Sequence, residues 1–267
     1  MEIKLKPSTK HELHGIYLPA VDAKAAIIMV HGLGEHISRY KEMAAYFNSR
    51  NYSFIGVDLP GHGRSSGKRG HIDNFGQYND IISAMADLVR RREGDIPLVL
   101  YGHSLGGAVA LNYLASSALM DKAIVTSPWL RLAVSPSPFK IFLAGIMNKL
   151  MPGLLQKSGL NPDDISSDKN VVKKYRTDPL VHNKISVRLF ASATANAHKL
   201  LEMKESVSIP VLLMHSADDR ITSAGGSEVF ADRNSKAELK IWEKGLHELH
   251  NEVFRDEVFD YIIKWLE

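Results

Sequence analysis

Three segments carry side chains that could act together on a carbonyl carbon. The sharpest is Gly102-His103-Ser104-Leu105-Gly106-Gly107, between the apolar run Leu98 to Tyr101 and a small-residue stretch from Leu105 to Ser117. A serine on a sharp strand-to-helix turn is held off the backbone with its hydroxyl exposed above the sheet, and flanking glycines let strand and helix close together. A phosphate loop is also glycine-rich, but it needs a Gly-Lys-Ser/Thr that this segment lacks. A serine hydroxyl attacks poorly until a base takes its proton and an acid orients that base. On such a turn the acid follows the serine in the chain, and the histidine follows the acid. The acid candidates are Asp218 and Asp219 in His215-Ser216-Ala217-Asp218-Asp219-Arg220, after the apolar run ending at Met214. Adjacent residues cannot both point inward, so one of the two is left to cap a helix or pair with Arg220. Of the twelve histidines, His247 and His250 in Lys244-Gly245-Leu246-His247-Glu248-Leu249-His250 lie after the acid and between the last strand and the last helix. Order alone leaves both pairs open.

The oxyanion of a tetrahedral intermediate needs donors already aimed at it. One is the amide after the nucleophile, on Leu105. The other comes from a glycine-bearing loop after an earlier strand, a place that Leu33 fills in Val30-His31-Gly32-Leu33-Gly34-Glu35-His36. Asp58-Leu59-Pro60-Gly61-His62-Gly63-Arg64-Ser65 lacks dinucleotide-loop spacing and is expected to be a structural turn. No His/Asp/Glu grouping has metal-ligand spacing, so neither a metal nor another cofactor is expected.

Such side chains converge only if parallel strands end along one edge. Apolar runs at 25–30, 53–57, 97–101, 122–126 and 210–214, with a further strand at 238–242, alternate with helical stretches at 37–50, 78–92, 105–117 and about 251–265. Continuous apolar strands between helices predict an α/β protein with a mostly parallel sheet covered on both faces. From Pro128 to Ser206 the chain carries Pro128, Pro136, Pro138, Pro152, Pro162 and Pro179, with short helical pieces and no clear strand. That is too long for a plain connection and reads as a mostly helical cap at 128–206, inserted in a core of 1–127 and 207–267.

Composition narrows the class further. The 267 residues hold 33 Lys+Arg and 30 Asp+Glu, a net +3, with 45% hydrophobic residues and no cysteine. Disorder and a polybasic nucleic-acid arm are excluded, and so are disulfides and a thiol nucleophile. Met1 to Pro7 shows no apolar leader and no run reaches the ~18 residues of a spanning helix, so a cytoplasmic protein is expected.

Together these residues resemble the α/β-hydrolase superfamily and, within it, the monoacylglycerol lipase and lysophospholipase group. The resemblance runs through His31-Gly32-Leu33-Gly34-Glu35-His36 with Arg39-Tyr40, Gly61-His62-Gly63-Arg64-Ser65, the Ser104 turn, Tyr175-Arg176-Thr177-Asp178-Pro179-Leu180, Ser216-Ala217-Asp218, and Leu246-His247-Glu248-Leu249-His250. It implies the α/β-hydrolase fold with a cap, a triad of Ser104, Asp218 and His247, and oxyanion amides on Leu33 and Leu105. It also implies that Glu35, Arg39, His103, Tyr175 and His250 meet the polar head of the substrate. The implied reaction is hydrolysis of monoacylglycerols, with lysophospholipase, thioesterase and general carboxylesterase as alternatives on the same triad, and a non-enzymatic binding module as a remote one. Leu130, Phe139, Phe142, Leu143, Ile146, Met147 and Leu150 are candidates to line an acyl tunnel, about half being needed to pack the cap. The expected partners are a lipid ester and, transiently, a membrane surface touched by the cap, and not a nucleic acid.

Overall fold

Strands whose side chains alternate between two apolar faces need cover on both, and helices supply it here. The computed structural model describes residues 1–7, 10–117 and 119–267. In chain order the elements begin β1 (Glu2–Leu5), β2 (Leu13–Leu18), β3 (Ala25–Val30), α1 (Lys41–Asn48), β4 (Tyr52–Val57) and α2 (Gln77–Glu93). They continue with β5 (Leu98–His103), α3 (Leu105–Leu114), β6 (Lys122–Thr126), α4 (Pro138–Leu150), β7 (Leu155–Lys157) and α5 (Lys169–Thr177). The last are β8 (Lys184–Ser186), α6 (Val187–Glu202), β9 (Val211–Ser216), α7 (Ala224–Asp232), β10 (Ala237–Trp242) and α8 (Arg255–Leu266).

Eight strands form one sheet in the order β1-β2-β4-β3-β5-β6-β9-β10. The pairings β1/β2 and β2/β4 are antiparallel and the rest parallel. In β3, Ile28 and Val30 join the core under α2, α3 and α6, while Ile27 and Met29 join the core under α1 and α8. The parallel strands are in register near their C-terminal ends, where Val30 faces Gly102, Gly102 faces Val125, and Thr126 faces Met214. The loops leaving β3, β5, β6, β9 and β10 therefore emerge side by side along one edge, where open parallel sheets place their ligands.

The sequence reading differs from this fold in three places. It has no β1 and β2, which form the antiparallel edge and are too short and mixed in polarity to stand out. The 128–206 segment is not strand-free, because β7 and β8 pair as a small antiparallel ribbon. Nor does the whole segment stand apart from the core. Leu189, Ala193, Ala197 and Leu200 of α6 belong to the core cluster, and Asn196 Nδ2 donates to the Ala108 carbonyl at 3.2 Å. No helix among the described residues is long and apolar enough to cross a membrane.

Candidate active site

Ser104 caps α3 with φ 54° and ψ −115°, a strained conformation for a residue with a side chain. It persists because its surroundings over-determine it. The Ser104 N–H donates to the Thr126 carbonyl at 3.0 Å, and its own carbonyl accepts from Trp129 at 2.9 Å. A Cβ at Gly102 would lie 2.4 Å from the Gly106 oxygen, and one at Gly106 2.1 Å from the Val30 oxygen. Only glycine lets strand and helix approach this closely, which is the physical content of the pattern around the serine.

The Ser104 hydroxyl lies 2.9 Å from His247 Nε2. The loop after β10 that carries His247 is tied to the loop after β6, since the Ser127 hydroxyl donates to the His247 carbonyl at 2.8 Å. On the far side of the ring, His247 Nδ1 donates to Asp219 Oδ2 at 2.7 Å. This corrects the expected acid from Asp218 to Asp219. Asp218 is exposed at the rim, whereas the Asp219 side chain is fully buried. The cause is a local turn: Asp219 Oδ1 accepts the N–H groups of Ile221 at 2.8 Å and Thr222 at 3.0 Å, which swings the carboxylate inward. Its other oxygen also takes the Thr222 hydroxyl at 2.8 Å and faces His215 Nε2 at 3.1 Å.

These contacts set the charges. Burial by itself would raise the Asp219 pKa, but His247 and His215 hold it well below the ordinary carboxylate range. Burial likewise disfavours the His247 imidazolium, yet the Asp219 carboxylate outweighs that and lifts the pKa above the ordinary 6.5. The neutral imidazole needed to accept the serine proton is therefore lost on the acid side from above the ordinary value. The acid limb of kcat/KM should lie above 6.5, and Asp219→Asn should move it to lower pH, because removing the carboxylate destabilises the imidazolium. A pH profile of both enzymes checks this. A limb that does not move would separate Asp219 from His247.

Leu33 and Leu105 both lie next to Ser104. Leu105 is the first residue of α3, whose N–H has no acceptor within the helix. Leu33 shares a cavity wall with Ser104 and His247. A Cβ on neighbouring Gly32 would lie 3.2 Å from Ser104 Cβ, so the loop runs close against the serine.

Of the expected head-group residues, Glu35, His103 and Tyr175 line that cavity with Ser104, and Arg39 and His250 do not. Arg39 is committed behind the wall, with Nη1 2.6 Å from Glu35 Oε2 and Nη1 and Nη2 each 2.6 Å from a Glu248 oxygen. Glu35 Oε1 in turn accepts the Gly32 N–H at 2.6 Å and the Tyr40 hydroxyl at 2.8 Å. Across this cluster the loop holding Leu33 is bound to the loop holding His247. Coulomb attraction to Arg39 overcomes the burial of Glu35 and keeps its pKa far below normal. His250 stacks on Tyr40 with ring centroids 4.6 Å apart, and burial pushes its pKa down to about 4. Glu248, Thr222 and Ser127 are site residues that sequence reasoning missed. Only Thr222 left a usable signal, because Asp219 and a hydroxyl three residues later form a recognisable turn pattern.

The cavity at Ser104 measures about 10 Å³, room for roughly one water. None of the candidate tunnel residues is among those that line it. Of these candidates only Leu130 is fully buried, while α4 has no buried residue and leaves Phe139, Phe142, Leu143, Ile146 and Leu150 exposed. Asp58 does serve a turn, accepting the N–H groups of Ile37 and Arg64, each at 2.8 Å. Among the described residues no His/Asp/Glu cluster could hold a metal.

Comparison with known proteins places the chain in one family. The model of the Hydrolase_4 family, described as serine aminopeptidase S33, matches residues 21–253. An abhydrolase domain-containing protein of Dictyostelium discoideum is 36% identical over 94% of this chain, which spans 27% of that protein. The monoacylglycerol lipase of Mycolicibacterium smegmatis is 27% identical over 95% of this chain and 92% of its own. In three dimensions the monoacylglycerol lipase of Paleococcus ferrophilus superposes with a TM-score of 0.87 at 29% identity, covering 95% of this chain and 98% of that one. With a family match across most of its length and a mostly parallel sheet that presents a strained serine beside a histidine, the chain belongs to the Hydrolase_4, serine aminopeptidase S33, family of α/β-hydrolases.

Proposed function

We propose that this chain is a serine ester hydrolase that cleaves monoacylglycerols to a fatty acid and glycerol. The observation that carries the reading is the continuous path from Ser104 to His247 at 2.9 Å and from His247 to Asp219 at 2.7 Å. The names of the Mycolicibacterium and Paleococcus relatives support the substrate class.

Ser104 Oγ attacks the acyl carbonyl as His247 Nε2 takes its proton, while Asp219 holds the ring and balances the imidazolium. The Leu33 and Leu105 amides receive the developing oxyanion. Collapse breaks the bond to the glycerol oxygen, which leaves with the proton from His247. Water then opens the acyl-enzyme by the same steps in reverse. Glu35, His103 and Tyr175 form the wall that faces the head group, and Arg39, Glu248 and His250 hold that wall in place. The acyl chain requires the cap to shift, because the cavity of about 10 Å³ at Ser104 is too small to hold it. The exposed apolar residues of α4, flanked by Lys140 and Lys149, are the surface through which the cap meets lipid.

The test is kcat/KM on a monoacylglycerol, the matching triacylglycerol and the matching p-nitrophenyl ester. The monoacylglycerol should be preferred over the triacylglycerol, since the roofed site receives one chain. Tyr175→Phe should lower kcat/KM on the monoacylglycerol by about 2- to 10-fold, the worth of one neutral hydrogen bond. It should leave the p-nitrophenyl ester unchanged, because that ester has no glycerol hydroxyl to recognise. Equal losses on both esters would remove Tyr175 from head-group recognition.

A further inference from the structure

The loop that carries His247 is held by more than Ser127 and Arg39. It runs alongside the cap segment 164–167, which leads into α5. The Glu248 N–H donates to the Ile165 carbonyl at 2.7 Å and the His247 N–H to the Asp164 carbonyl at 3.4 Å. The Ser166 hydroxyl donates to the Asn251 carbonyl at 2.9 Å. Ile165 in turn packs with Val172 and Tyr175 of α5 in one buried cluster. The segment that touches the base loop therefore also supports the head-group wall.

Glu252 ties the two together through its side chain. Its carboxylate is fully buried. Oε1 accepts the Leu246 N–H at 2.7 Å and the Ser167 N–H at 3.0 Å, and Oε2 takes the Ser167 hydroxyl. Leu246 immediately precedes His247, and Ser167 immediately precedes Asp168, the residue that caps α5. The loop is wrapped closely around this carboxylate: Gly245 has φ 95°, and a Cβ on it would lie 3.1 Å from Glu252 Cγ. Glu252 forms no salt bridge among the described residues, since Arg39 pairs with Glu248 and Lys244 with Glu257. A carboxylate buried without a cation is costly unless donors fill its oxygens, as the Leu246 and Ser167 groups do here. Ion pairing thus gives no reason for a charge at this position, whereas acceptors at a fixed reach do. Glu252 is not among the residues that line the Ser104 cavity, so it bears on the reaction only through Leu246 and His247.

We propose that Glu252 is a positioning residue for the catalytic base, holding the His247 loop against the cap so that Nε2 stays within reach of the Ser104 hydroxyl. This role rests on the esterase reading above and adds no chemical step to it. The requirement is geometric, because a displacement of about 1 Å at reacting groups can cost about 10²-fold in rate. Acceptor position matters here, and charge does not. A glutamine at 252 has the same length, keeps one oxygen for the two N–H groups, and can donate its amide to the Ser167 hydroxyl oxygen. An aspartate keeps the charge but is one methylene shorter and cannot reach both segments.

The experiment compares the wild type, Glu252→Gln, Glu252→Asp and Glu252→Ala. It reads kcat and KM on 1-oleoylglycerol and p-nitrophenyl butyrate, and the rate at which a fluorophosphonate labels Ser104. Thermal melts set an assay temperature below the unfolding of every variant that folds. Glu252→Asp and Glu252→Ala should lose about 10- to 100-fold in kcat on both esters and in labelling rate, with KM within about threefold. Glu252→Gln should stay within about threefold of the wild type throughout. If Glu252→Ala does not fold, the order of Glu252→Gln above Glu252→Asp still decides the matter. A folded Glu252→Asp at the wild-type rate, or Glu252→Gln falling as far as Glu252→Asp, would overturn the proposal and leave the esterase reading standing. So would a loss confined to KM or to 1-oleoylglycerol. A wild type that cleaves neither ester and takes up no label would overturn the esterase reading itself.

Discussion

Ser104→Ala is expected to leave a folded protein whose hydrolysis of a monoacylglycerol falls by about 10⁴- to 10⁶-fold. The hydroxyl is small and the strained turn is held by backbone bonds to Thr126 and Trp129, so its removal leaves the surrounding contacts in place. What is lost is the atom that His247 can deprotonate. His247→Ala should cost a similar factor and the double variant little more, since the two groups act in one step. Circular dichroism establishes the fold, and steady-state kinetics on purified protein give the ratio. Turnover near the wild-type rate in Ser104→Ala would contradict the assignment.

The second large effect separates two neighbours. Asp219→Asn should slow kcat by about 10⁴, because an amide leaves the imidazole in the wrong tautomer and without a counter-charge. Asp218→Asn, at the exposed rim, should change it by about threefold at most, in keeping with a surface substitution that breaks no contact. Equal losses, or a slower Asp218→Asn, would contradict the geometry at the end of β9.

How legible each feature is in the sequence depends on how it is encoded there. β3, β5 and β9 are buried on both faces and so appear as unbroken apolar runs. The serine turn is legible because close approach forces glycine at 102 and 106. β1 and β2 lie at an antiparallel edge, where burial is uneven and the pattern is weak. The choice between Asp218 and Asp219 turns on two backbone bonds formed with Ile221 and Thr222, and order along the chain does not express them. Arg39 has the side chain of a head-group ligand, but its donors are already taken by Glu35 and by Glu248, which is 209 residues away in the chain. Pairing at that separation is set by the fold and leaves no local mark. The apolar residues of α4 suggest a tunnel lining by composition. Their direction depends on which face meets α6, and a short helix with apolar residues on several sides does not specify that.

Stoichiometric labelling with a fluorophosphonate, read by intact mass, peptide mapping and residual glycerol release from a monoacylglycerol, is the most direct measurement. One adduct per chain is expected, on the peptide containing Ser104, with glycerol release falling in proportion to the labelled fraction and Ser104→Ala taking up no label. An adduct on another residue, or fully labelled protein that still releases glycerol, would contradict Ser104 as the nucleophile.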